Sequence, residues 1–131
     1  MKKLLFLIIV FATTIACTEA QESAKKDNAQ KHSIAVTFRL FPTENMWTFI
    51  KLNTRNGLMW QVQYDVNGEN RFESFLNVLS IAENKNEFDD RFTLYPTQNM
   101  WTFILLDQFD GRMWQVQWST EPENRGIIPI N

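Results

Sequence analysis

Apolar and polar residues alternate with a period of two through residues 58–64, where Trp60, Val62 and Tyr64 fall on one face and Met59, Gln61 and Gln63 on the other. The same alternation returns at 112–118, with Trp114, Val116 and Trp118 opposite Met113, Gln115 and Gln117. Both segments predict strands. A second strand is predicted over 46–52, rich in β-branched and aromatic residues. It is apolar on both sides, with Met46, Thr48, Ile50 and Leu52 on one and Trp47 and Phe49 on the other, so it is central or one face meets another layer or molecule. Residues 53–57 and 107–111 read as hairpin loops in which Asn or Asp caps the turn and Gly57 and Gly111 supply a positive φ. A first strand in each half, 35–41 and 91–95, ends at Pro42-Thr43 and Pro96-Thr97, because proline cannot donate to a ladder. Residues 71–82 fit a strand or a short helix equally; 83–90 read as a polar linker and 127–130 as a terminal edge strand.

These elements form two copies of one unit. Residues 38–64 align without a gap to 92–118 at an offset of 54, with 17 of 27 positions identical, and Glu69-Asn70-Arg71 recurs as Glu123-Asn124-Arg125. Such duplication implies a supersecondary unit that buries its apolar face against its own copy. Two copies are too few for a closed propeller. The expected fold is all-β: two tandem antiparallel meanders, three strands each, packed as a small sandwich or open barrel. Repeat 1 spans 34–82 and repeat 2 spans 91–131, with the aromatic rows, Trp60, Val62, Trp114 and Val116, inside.

The first 33 residues follow another pattern. Lys2 and Lys3 precede an unbroken apolar run over 4–11, too short to cross a bilayer as a helix, and a small-residue region ends at Cys17. This predicts a signal peptide over 1–16. Cleavage before Cys17 matches a lipobox apart from Thr14, and would make Cys17 a lipidated first residue. Cleavage after Ala20 is the other reading, and it discards Cys17. The position of the lone cysteine at the end of the apolar run favours the first. Residues 17–33 are polar, contain no aromatic and hold the single histidine, His32, so they read as a flexible tether. The expected location is therefore the bacterial periplasm or outer membrane, attached through a lipid.

Composition narrows the chemistry. The chain has 131 residues, 44% hydrophobic and 21% charged, with 13 basic and 15 acidic side chains for a net charge of −2. That size fits one domain, and the near-neutral balance argues against nucleic acid. One cysteine excludes an intramolecular disulfide, and one histidine leaves a zinc site or a Cys/His pair without material. Asp107 and Asp110 resemble part of a calcium loop, but Asn53 and Asn56 replace them in the other copy. No nucleophile has a histidine partner, no phosphate loop occurs and no carboxylate pair is kept between copies, so neither catalysis nor a cofactor is expected. The one constellation that suggests a ligand is Asn45, Trp47, Gln61 and Gln63, duplicated as Asn99, Trp101, Gln115 and Gln117. A tryptophan ring stacks on the C–H face of a sugar while amides satisfy its hydroxyls; equally, these rings are packing residues and the glutamines a solvated strand face.

The [Asn/Asp]-x-x-[Asn/Asp]-Gly-x-x-Trp hairpin, preceded by Phe/Tyr-Pro-Thr-x-Asn-Met-Trp, resembles a repeat of small exported bacterial β-repeat proteins. The resemblance covers both repeats, implies an envelope location and a β fold, and brings no catalytic or binding residues. The expected function is a non-catalytic interaction module of the envelope that engages another protein, as an inhibitor- or immunity-type factor. A lectin-like module with two related glycan sites, or a structural lipoprotein without a specific ligand, are the alternatives.

Overall fold

The computed structural model describes residues 35–131. The expected signal peptide, the expected tether with His32 and the expected lipidation site Cys17 lie outside the described residues. Strands follow the predicted order: β1 (Phe38–Pro42), β2 (Thr48–Asn53), β3 (Met59–Gln63), β4 (Phe72–Asn77), β5 (Phe92–Pro96), β6 (Thr102–Asp107), β7 (Met113–Gln117) and β8 (Gly126–Ile130). They form two four-stranded antiparallel meanders, β1-β2-β3-β4 (sheet 1) and β5-β6-β7-β8 (sheet 2), neither closed into a barrel. Each unit thus adds a fourth strand to the expected three-strand meander, and in the second unit it is the terminal edge strand expected over 127–130. The ambiguous segment supplies β4, and its confusing periodicity has a cause. The pairing of β3 with β4 shifts between Met59 and Trp60, so that Met59 faces Asn77 and Trp60 faces Phe75. Leu76 is the extra residue of a bulge, and it is buried together with Asn77.

Registers match between copies. Phe49 pairs with Val62 and Lys51 with Trp60; Phe103 pairs with Val116 and Leu105 with Trp114. Each sheet therefore has an aromatic face, carrying the Trp-Val row, and an amide face, carrying the Met-Gln row. Gly57 and Gly111 close the β2–β3 and β6–β7 hairpins at φ 77° and 81°. Gly57 N–H donates to Asn53 O at 3.0 Å, and Gly111 N–H to Asp107 O at 2.8 Å.

The sheets are alike, but they bury opposite faces. Sheet 1 turns its amide face inward: Thr48, Ile50, Leu52, Met59 and Gln61 are buried. Sheet 2 turns its aromatic face inward, burying Phe92, Leu94, Phe103, Leu105, Trp114, Val116 and Trp118. The expectation of both aromatic rows inside thus holds for Trp114 and Val116 and fails for Trp60 and Val62, which stand half-buried on the outer face of sheet 1. Two residue differences account for which aromatic face faces water. Lys51 stands where sheet 2 has Leu105, and Glu73 where it has Ile127; the two form an ion pair that a dry interior would have to dehydrate.

Strand β5 lies against β2 and β8 against β4, so the sheets stack with their strand orders running the same way. The crossing segment between them is tied at the β1 side. Phe92 N–H donates to Thr54 O (2.8 Å), Asp90 N–H to Thr54 Oγ1 (3.0 Å), and the Arg39 guanidinium to Asp90 Oδ1 (2.7 Å).

Candidate functional site

The Pro-Thr-x-Asn-Met-Trp motif builds the β1–β2 and β5–β6 turns. Asn45 Oδ1 accepts the Trp47 N–H (2.9 Å), Thr43 Oγ1 accepts the Asn45 N–H (3.1 Å) and donates to Thr48 O (2.9 Å). Thr97, Asn99 and Trp101 repeat this, with Asn99 Oδ1 accepting the Trp101 N–H at 3.0 Å. The side-chain oxygens of Asn45 and Asn99 are therefore engaged as turn caps. Both turns line one small cavity of about 140 Å³, walled by Pro42, Pro96 and Phe103 among others.

The remaining candidates separate. Gln61 is buried and its Oε1 accepts the Ser119 N–H of sheet 2 at 3.3 Å. Gln115, the aligned residue, is exposed, and with Gln117 lines a shallow concavity of about 350 Å³ beside Glu123, Arg125 and Ile128. Trp47 packs against Tyr64 (5.3 Å between centroids) and Trp101 against the buried Trp118 (4.6 Å), leaving Trp47 and Trp101 each about a third exposed. In repeat 1 a ring and an amide of the candidate set meet in one hollow, where Trp47 and Gln63 line about 130 Å³ with Tyr64, Asp65 and Asn70. The two expected sites are thus unequal, because the repeats bury opposite faces.

Sequence reasoning missed the outer faces themselves. On sheet 1, Phe38, Leu40 and Phe75 are exposed around half-buried Trp60, with rings at 6.3 Å (Phe38–Trp60) and 5.5 Å (Trp60–Phe75). Lys51 crosses this surface with Nζ 4.4 Å from the Trp60 ring centroid, paired to Glu73. On sheet 2, Tyr95, Met113, Ile128 and Ile130 are exposed on a face whose paired positions, Thr93 to Gln117, carry no charge. The signal for this was present in β2, whose two apolar faces require two neighbours.

The charged cluster in the interior is structural. Arg91 is buried, and its Nε and Nη2 donate to the buried Asp107 carboxylate at 3.0 and 2.6 Å, while Nη1 donates to Asn86 O. The Asp107 bonds hold the Arg91 guanidinium above its ordinary value against the opposing effect of burial. Partial burial pushes the Asp110 carboxyl up, but the Arg112 N–H and guanidinium bonded to it outweigh this and hold it below the ordinary range. Every carboxylate of the supposed calcium loop is thus spoken for by arginine. Among the described residues, no group of three or more His, Cys, Asp or Glu side chains gathers as a metal site.

No protein-family model matches the chain, and neither curated proteins nor solved structures match it in sequence or fold.

Proposed function

We propose that the chain is a non-catalytic binding module of the bacterial envelope, tethered through a lipid at Cys17, that grips another protein with a sheet face rather than a pocket. The observation that carries this reading is the outer aromatic face of sheet 1. Phe38, Leu40, Trp47, Tyr64 and Phe75 expose large apolar side chains around a single neutralised Lys51–Glu73 pair. Rigid aromatic anchors with few charges are the composition of an interface centre, and a twisted four-stranded sheet presents them with little ordering entropy left to lose. An inhibitor- or immunity-type role suits a face of this kind, since occupying a partner's surface requires no chemistry.

The test is a pull-down with the full chain immobilised and offered envelope extract, bound protein being identified by mass spectrometry. A stoichiometric partner is expected, retained in moderate salt and lost with Phe75→Ala, a truncation on the exposed surface. Retention of the same partner by Phe75→Ala and Tyr64→Ala alike rules out this face.

A glycan reading is favoured by one observation, the hollow in which Trp47 meets Gln63 and Asn70. It requires tryptophan fluorescence to shift on adding an envelope polysaccharide, and the shift to vanish in Trp47→Ala while surviving in Trp101→Ala.

A further inference from the structure

The packing inside this chain joins unlike faces of like sheets. Sheet 1 offers its amide face, sheet 2 its aromatic face, and each keeps the other member of that pair outside. The outer face of sheet 2 carries Ile104, Met113 and Gln115 where the buried face of sheet 1 carries Ile50, Met59 and Gln61. Met59 is fully buried, whereas Met113 is 40% exposed. The outer face of sheet 1 likewise keeps the ring geometry of its buried counterpart: Phe38–Trp60 at 6.3 Å repeats Phe92–Trp114 at 6.2 Å.

The clasp across the internal interface is also prepared in part on the outside. Arg125 Nε donates to Ser119 O (2.7 Å), which aims its Nη1 at Ser74 Oγ of sheet 1 (2.9 Å). In repeat 1, Arg71 Nε donates to Asp65 O (2.9 Å), the aligned bond, while the residue aligned with Ser74 is Ile128, so on the outside Arg71 keeps the anchoring bond but meets an apolar side chain instead of a hydroxyl. We infer that a second copy of this chain docks the aromatic face of its sheet 1 onto the outer amide face of sheet 2, repeating between chains the packing found within one. This rests on reading the outer faces as interaction surfaces, and it names their partner.

The contact is heterologous, so each copy keeps a free face of either kind and successive copies add head to tail. Lys51 and Glu73 set its strength. They occupy the places of Leu105 and Ile127, and their dehydration makes the contact between chains weaker than the one within. They act as the polar outer face that stacked repeats need at a terminus to remain soluble.

Two thiols read the arrangement. Glu69→Cys lies two residues before Arg71, in the loop that leads into β4; Ile128→Cys lies on the outer face of sheet 2, aligned with the Ser74 that receives Arg125. Both sites are exposed and outside the core. The full chain, purified as its host exports it, is treated with a short bismaleimide, each variant having been checked for the parent's melting temperature. The parent, whose single cysteine is Cys17, sets the background. A mixture of the two variants should yield a cross-linked dimer while each alone stays at background, and a chain carrying both substitutions should yield a ladder. Adding Lys51→Leu together with Glu73→Ile to the Glu69→Cys chain should lower the concentration for half-maximal cross-linking by about tenfold, since it removes both members of the ion pair and restores the leucine and isoleucine of the buried face. A mixture at background, a dimer formed by Ile128→Cys alone, or indifference to the Lys51→Leu and Glu73→Ile pair each overturns the stack. The wider reading fails on a different result, the capture of the same envelope partner by Phe75→Ala and Tyr64→Ala alike, so the two are separable.

Discussion

The same residue does different work in the two copies. Trp114 is buried against Phe92, with the Arg112 guanidinium over its ring at 5.2 Å, whereas Trp60 is half-exposed between Phe38, Phe75 and Lys51. Trp114→Ala should therefore cost about 3–5 kcal/mol, the usual range for an aromatic removed from a core. Trp60→Ala should cost about 1–2 kcal/mol, the worth of partial burial and ring contacts. Urea unfolding of the two variants decides: equal losses would contradict the assignment of faces. Reading Trp60 as core from sequence was the natural error. Period-two alternation sorts residues into two faces, but it carries no sign to say which one is dry. The decisive difference lies off the row, at Lys51 against Leu105, and it is informative only once the two positions are known to share a sheet face with the tryptophans. The amides were legible as a pattern but not as roles, because the carbonyl that caps a turn at Asn45 and the one that binds a ligand are the same group.

At the scale of elements, the strands and hairpins were largely readable. Pro42 and Pro96 close β1 and β5, and the loop glycines sit at positive φ as the turn chemistry demands. What escaped was β4, where the bulge at Leu76 breaks the period and brings two consecutive residues inward. The hairpins also differ in what surrounds them. A Cβ on Gly57 would stand 2.5 and 2.7 Å from Cγ1 and Cδ1 of Ile81, while one on Gly111 meets nothing within 4 Å. Gly111→Ala should thus cost only the strain of a left-handed alanine, about 1–2 kcal/mol. Gly57→Ala should cost about 1–3 kcal/mol more, because Ile81 belongs to the segment that carries the chain from one sheet to the other. Thermal melts in which the two variants coincide would refute the close approach of Ile81.

At the scale of the molecule, the single described core cluster lies between the sheets, combining Ile50, Leu52 and Met59 of one with Leu105, Val116 and Trp118 of the other. Neither sheet has a second layer of its own, and one sheet wet on both faces buries too little to offset chain ordering. The full chain should therefore unfold in one transition by both fluorescence and circular dichroism. A chain ending at residue 90 should show no cooperative melt; if it does, sheet 1 is an independent unit. The duplication made the β architecture and its two-layer arrangement legible from the alignment of 38–64 with 92–118. The sense of stacking was not legible, because identical repeats fit a two-fold sandwich and a same-way stack equally well, and the choice is made by a few side chains on the faces.

The burial of opposite faces also constrains how the two halves change over generations. Recombination between near-identical segments tends to overwrite one with the other. Here either overwrite is harmful: copying the second half into the first removes the Lys51–Glu73 pair from the outer surface, and copying the first into the second sets that pair in the dry interior, in the places of Leu105 and Ile127. Selection on solubility in one direction and on stability in the other keeps the halves distinct, so the mismatches at Lys51 against Leu105 and Glu73 against Ile127 mark where the molecule tells its inside from its outside.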